Sequence, residues 1–169
     1  INLTKTCKPM KEENLDAMKY RKSTHLAGVD VDLMENKILT IKKCWYETNV
    51  DVSGNKTNGY FLSFVEPVRD MVVNSSNRTT IIKIVQKIKN LPLKEARNTA
   101  NWEAIKIELF FDEKVTMMGK VTGGIRIKPE PIEVPELTPN HESWEKAKSA
   151  LSNGQATIQQ IKTKYKLTA

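Results

Sequence analysis

Val72-Val73-Asn74-Ser75-Ser76-Asn77-Arg78-Thr79-Thr80-Ile81-Ile82-Lys83-Ile84-Val85-Gln86-Lys87-Ile88 is the stretch in which the chain changes period. Up to Val73 the apolar residues follow strand patterning. Beyond Asn74, Ile81, Ile84, Val85 and Ile88 fall at i, i+3, i+4 and i+7, the stripe of one helix face. Ser75, Ser76 or Asn77 can cap that helix, because a short side-chain oxygen accepts an N–H group that the first turn leaves unpaired. Pro92 ends it, lacking the N–H that a further turn needs.

On the N-terminal side of this helix the pattern predicts three strands. In His25–Met34, Leu26, Val29, Val31 and Leu33 are set off by Asp30 and Asp32 in period two, with Gly28 as a bulge or bend. In Lys37–Glu47 the residues Leu39, Ile41, Lys43 and Trp45 share one face, and Ile38, Thr40, Lys42, Cys44 and Tyr46 the other. Asn49–Asn58, with Ser53-Gly54-Asn55 at its tip, is turn chemistry and predicts a hairpin loop. Its return strand is Tyr60–Glu66, closed by Pro67, and a short strand Asp70–Val73 extends the same sheet. On the C-terminal side a polar connection over residues 90–101 leads to a strand opened by Trp102, with Ile105, Ile107, Leu109 and Phe111 on one face. A hairpin follows from Glu113 through Met118-Gly119 to Lys128, its last strand carrying Val121, Gly123, Ile125 and Ile127 on one face.

Three strands, one helix and two strands is the order of an OB-fold, a five-stranded Greek-key barrel with a helix between strands 3 and 4. The predicted class is mainly β with α. Residues 1–22 form a polar arm with a short helix from Glu12 to Tyr20, and residues 23–128 the barrel. Residues 129–139, with four Pro and three Glu, form an extended linker. Residues 140–169 form a helical hairpin, capped at Asn140 and stopped at Asn153-Gly154, with Trp144, Ala147 and Leu151 on its first helix and Ile158, Ile161 and Tyr165 on its second.

The 169 residues hold 27 Lys plus Arg and 20 Asp plus Glu, a net charge of +7. That surplus lies wholly in residues 36–128, with 16 basic and nine acidic groups, while both ends are neutral. A charge concentrated on one folding unit is the electrostatic footprint of a polyanion-binding domain. No run approaches the roughly 18 apolar residues of a membrane-spanning helix. Two Cys and two His, with no CxxC, argue against a zinc site, and the cysteine use predicts a reducing, cytoplasmic compartment. A Cys7–Cys44 disulfide stays open. The sequons at Asn2, Asn55, Asn74 and Asn77 are read as chance in a chain rich in Asn and Thr.

The middle of the chain resembles small bacteriophage and mobile-element proteins of OB-fold type that act in single-strand DNA binding or as recombination accessories. The likeness runs over residues 21–128. It rests on Arg21-Lys22-Ser23 before Leu26-Ala27-Gly28, on Val72 to Ile81, on Asn101-Trp102-Glu103 before an Ile/Leu strand, and on Gly123-Gly124-Ile125-Arg126-Ile127. The tail, with Leu137, His141, Trp144, Leu151, Gly154, Ile158, Ile161 and Tyr165, is similar to a tail on phage proteins of gut Bacteroidetes. No catalytic residue is implied. The resemblance implies action in phage replication or recombination, in the host cytoplasm.

A single-strand binder needs a cationic groove and flat side chains for stacking, each stacked base contributing about 1–3 kcal/mol. The candidate stacking residues are Trp45, Tyr46, Tyr60 and Phe64, half of which must be core, and Phe110 beside Lys106. The candidate phosphate contacts are Lys42, Lys43, Lys56, Arg69, Lys106, Arg126 and Lys128, although any single Lys among them is better read as part of a solvated face. Asn74 and Asn77 flank a helix start that could receive a phosphate or merely be capped. The expected partner is single-stranded DNA, with a replication or recombination protein recruited through residues 140–169 and homo-oligomerisation left open. No cofactor is expected. Two other classes compete with this one. One is a phage-encoded interaction module that binds or inhibits a host protein through the same barrel. The other is a Mg²⁺-dependent nuclease using Asp112-Glu113-Lys114 with Asp30 and Asp32, whose core demands a different strand order.

Overall fold

The computed structural model describes residues 13–117, 119–162 and 164–167, so Cys7 and Met118 lie outside the described residues. In chain order the elements begin with α1 (Gly28–Leu33), β1 (Ile38–Val52), β2 (Asn55–Phe64), β3 (Met71–Val73) and α2 (Ser75–Lys89). There follow α3 (Leu93–Ala96), a 3-10 turn at Thr99–Trp102 and β4 (Lys106–Asp112). The short ribbon β5 (Thr116–Met117) and β6 (Lys120–Val121) and then β7 (Gly124–Ile127) follow. The five main strands form one antiparallel sheet in the order β3-β2-β1-β4-β7, whose first and last strands do not pair. This is a mixed α/β architecture built on an open sheet, with one long helix between the third and fourth strands of the sheet.

Helix α2 keeps its predicted apolar stripe but is capped one residue earlier than the expected Ser75, Ser76 or Asn77. Asn74 is the cap, its Oδ1 accepting the Asn77 N–H at 2.9 Å. Ile81, Ile84 and Val85 are buried, and they join Leu39, Ile41, Leu62, Met71, Val73, Ile107 and Leu109 in one core. Asn77 is also buried there. Its Nδ2 donates to the Ile125 carbonyl at 2.9 Å and ties the first turn of α2 to β7.

Two predicted strand segments take other forms. Residues 25–34 hold helix α1, and of the alternating apolar set only Leu26 and Val31 are buried, while Leu33 is exposed. Asp30 decides the matter. Its carboxylate accepts the Ala27 N–H at 2.8 Å, as a carboxylate in the first turn of a helix does, and also receives Arg21 at 2.9 Å and Arg69 at 3.2 Å. Gly28 serves close approach instead of a bulge, since a Cβ there would overlap the ring of Phe111. Trp102 does not open a strand either. It sits buried at the end of the 3-10 turn with its indole N–H donating to the Ala96 carbonyl at 2.8 Å, and β4 begins four residues later.

The N-terminal segment also departs from its prediction. From residue 13 onward it holds a turn over residues 17–20 where a short helix was expected, with Leu15, Met18 and Tyr20 exposed. A helix so short has too few internal hydrogen bonds to persist without an apolar face to pack on.

In the tail, α4 (Trp144–Ser152) and α5 (Ile158–Lys162) form where a helical pair is predicted, α4 starting four residues beyond Asn140. Gly154, with φ +68°, ends the first helix in the left-handed conformation that glycine adopts without strain. The Pro-rich stretch does more than span. Leu137 is buried, its N–H donates to the Lys166 carbonyl at 2.9 Å, and the Lys166 N–H donates back to Pro135 at 2.9 Å. Tyr165 meets His141 edge to face at 5.2 Å.

Candidate nucleic-acid interface

Strand β1 determines where the predicted site residues fall, because it carries two irregularities. Ile41 faces Phe64 and Lys43 faces Ser63, so Lys42 is an extra residue in β1. A second shift between Glu47 and Val50 contains Asn49 at φ 60°, its N–H donating to the Asn58 side chain at 2.7 Å. Each bulge inverts which alternate residues face the core and adds curl to the strand. Leu39 and Ile41 are buried ahead of the first bulge. Beyond it Lys42 and Lys43 are both exposed, and Cys44 packs against the core opposite Leu62.

The sheet face turned away from α2 gathers seven of the predicted residues. Lys106, Phe110, Arg126 and Lys128 alternate with buried residues of β4 and β7, and Phe110 pairs with Arg126 in register. Lys42, Lys43 and Trp45 follow along β1. Much of this face is already satisfied internally. Lys128 meets Glu108 at 2.6 Å, and Arg126 lies 3.9 Å from Asp112 and 3.5 Å from the Asn74 side chain. Trp45 stacks on Phe61 with centroids 5.9 Å apart, and its indole N–H donates to Glu47 at 2.8 Å. His25 covers Phe61 from another side at 5.3 Å. The carboxylate of Glu66 holds Thr40, accepting its N–H at 2.7 Å and its hydroxyl at 2.9 Å.

The other predicted residues separate. Phe64 is buried in the core and leaves no face for a base. Lys56 lies near the tip of the β1–β2 hairpin, opposite Asp51. Arg69 is held by Asp30. Tyr46 and Tyr60, partners in register, lie on the α2 side, and their rings meet edge to face at 5.1 Å. Tyr46 is 56% exposed. The guanidinium of Arg78, on the first turn of α2, lies over the Tyr60 ring at 4.6 Å, the arrangement that ring quadrupoles favour.

Comparison with known protein families, with curated proteins and with solved structures returns no match for this chain. The chemistry of the site therefore rests on its own residues. Beside Tyr60 a cleft of about 360 Å³ is lined by Ser75, Arg78, Thr79 and Ile82 of α2 and by Arg97, Thr99 and Trp102 of the following connection, with no carboxylate among them. The sequence reading passed over Arg78 and Arg97. A signal for the first was present, since Ser75–Lys89 contains Arg78, Lys83, Lys87 and Lys89 and no acidic residue. Lys89 is tied down, its ammonium donating to the Asn101 carbonyl at 2.6 Å, and burial lowers its pKa against the pull of Glu103. Cys44, a free and half-buried thiol behind this corner, is pushed up to about 11 by burial, partly offset by the charge of Arg78.

The carboxylates considered for metal chemistry are dispersed. Asp30 is engaged by two arginines, and Asp112 accepts the Lys114 N–H at 3.0 Å. Among the described residues no three His, Cys, Asp or Glu side chains converge on a point that could hold a metal ion. Among the same residues no helix is long and apolar enough to cross a membrane.

Proposed function

We propose that the chain is a non-catalytic single-stranded DNA-binding protein with an open barrel of the OB type. The strand order supports the fold reading. A three-strand meander, a helix and a two-strand hairpin are joined through pairing of β1 with β4, and bringing β3 to β7 would complete a barrel. The observation that carries the functional reading is the pair of exposed Tyr46 and half-buried Tyr60, with Arg78 over the Tyr60 ring and Arg97 lining the same cleft. Bases stack on the tyrosines without regard to sequence, and the guanidiniums take backbone phosphates. The resemblance to phage and mobile-element proteins supplies the setting, which is replication or recombination.

Fluorescence anisotropy with single-stranded, double-stranded and RNA oligonucleotides at two salt concentrations tests this reading. Single strands bind best, and log K falls with log salt with a slope of about −0.7 per phosphate contacted. Affinity that does not change between low and moderate salt sinks the proposal. Negligible oligonucleotide binding, together with a pull-down partner lost on Tyr60→Ala, replaces it with the protein-interaction module.

A further inference from the structure

The five arginines of the chain divide in an uneven way. Arg21 and Arg69 share Asp30, and Arg126 has Asp112. Arg78 and Arg97 have no carboxylate partner among the described residues, and these are the two that line one cleft. Two like charges facing the same space repel each other, so the arrangement is unfavourable until an anion enters. The remaining polar lining consists of the hydroxyls of Ser75, Thr79 and Thr99, groups that donate to phosphate oxygens, and Tyr60 contributes an aromatic surface. The volume of about 360 Å³ lies at the small end of the range of ligand sites, roughly 300–1,000 Å³, and suits a phosphate with part of its nucleoside.

We infer that this cleft binds a phosphate monoester, the terminal phosphate of a nucleic-acid strand, a deepening that rests on the single-strand-binding reading above. Charge decides between monoester and diester. An internal diester carries one negative charge and a monoester about −1.5 to −2 near pH 7, which is the better match for two guanidiniums that stay protonated throughout. A strand lying along Tyr46 and Tyr60 then ends in the cleft, and the protein distinguishes a phosphorylated end from a hydroxyl end.

The test compares one oligonucleotide sequence bearing a 5′-phosphate, a 3′-phosphate or hydroxyl ends, by anisotropy, on wild type, Arg97→Ala and Arg97→Lys. Arg97 is exposed and, among the described residues, its side chain makes no hydrogen bond or ion pair, so the variants fold. The expected result is a gain in affinity of about tenfold for one phosphorylated end. Measured as the ratio of phosphorylated-end to hydroxyl-end affinity within each variant, the gain is lost in Arg97→Ala and is partly kept in Arg97→Lys. It shrinks below pH 6, where the monoester loses its second charge. No gain at either end, or an equal gain in Arg97→Ala, overturns the inference and leaves the single-strand reading standing. A nucleoside monophosphate followed by NMR on the arginine Nε–H signals provides the converse arm. Shifts of Arg78 and Arg97 with no oligonucleotide binding uphold the cleft and remove the single-strand reading; no shift and no gain remove the cleft.

Discussion

The sheet face turned away from α2 carries five of the predicted cations and the cleft beneath Arg78 only two, yet it is on the open face that cations meet carboxylates. On the open face Lys128 is matched by Glu108, Arg126 by Asp112, and the Trp45 indole by Glu47. In the cleft no lining residue is acidic. The contrast teaches that counting positive charges locates a basic domain but not a binding site. What distinguishes a site is cationic charge left uncompensated beside a surface that a ligand can pack on. Exposed ion pairs contribute only about 0–1 kcal/mol to stability, so the paired face can still exchange its carboxylates for phosphates, but each exchange forfeits an interaction.

The largest effect is expected from the aromatic groups, and it separates the two regions. Tyr60→Ala removes the ring under Arg78 and one stacking surface, a loss of about 1–3 kcal/mol, or roughly ten- to a hundredfold in single-strand affinity. Tyr60→Phe keeps the ring and stays close to wild type. Trp45→Ala uncovers Phe61 and lowers the melting temperature, with less than a threefold change in affinity. Equal losses of affinity in Tyr60→Ala and Trp45→Ala, measured by anisotropy on samples shown to be folded, would erase the distinction and return the interface to the open face.

Charge reversal gives a smaller difference of the same kind. Arg97→Glu places a carboxylate in the anion cleft and weakens binding by about tenfold, the scale of a charge-assisted contact. Lys128→Glu sets two carboxylates side by side with Glu108, which costs stability, while the affinity moves by a factor of two or three. The reverse ranking breaks the comparison.

How much of this was legible in the sequence depends on whether a pattern was local. The period of α2 could be read because its stripe, Ile81, Ile84 and Val85, buries against one surface through the whole helix. The existence of β1 and β2 and the hairpin between them could also be read. The facing of β1 could not, because the extra residues at Lys42 and near Asn49 reset the alternation, and a bulge leaves no fixed mark in sequence. Phe64 and Tyr60 alternate in step on the same strand, yet one is core and the other rims a cleft. The difference lies in what covers each: Phe64 is buried in the core, whereas Tyr60 sits beside the first turn of α2 under Arg78. Residues 28–33 alternate as a strand should, but six residues are too few for period alone to decide. The bonds of Asp30 to Arg21 and Arg69, distant in sequence, belong to the helical form. Arg97 lay in a polar connection with nothing to mark it, since being unpaired is a property of the folded neighbourhood.

The smallest and most local prediction concerns Cys44, which senses the cleft from behind. Burial raises its pKa from the ordinary 9.0 to about 11, and the positive charge of Arg78 opposes that rise. Because the folded state holds the proton more tightly than the unfolded chain, the contribution to stability is complete below about pH 9. It declines as pH climbs toward about 11, where the folded thiol ionises. In a Cys7→Ser background the alkylation rate of Cys44 therefore stays low at pH 8 and rises steeply only well above pH 9, since the thiolate is the nucleophile. An anion in the cleft neutralises Arg78 and so cancels the positive charge that favours the thiolate, and a saturating nucleoside monophosphate slows alkylation further. Full protection at every pH would indicate simple shielding. Protection that fades as pH passes the folded pKa marks the electrostatic effect, and it links the charge of the cleft to the one ionisable group of β1 that packs against the core.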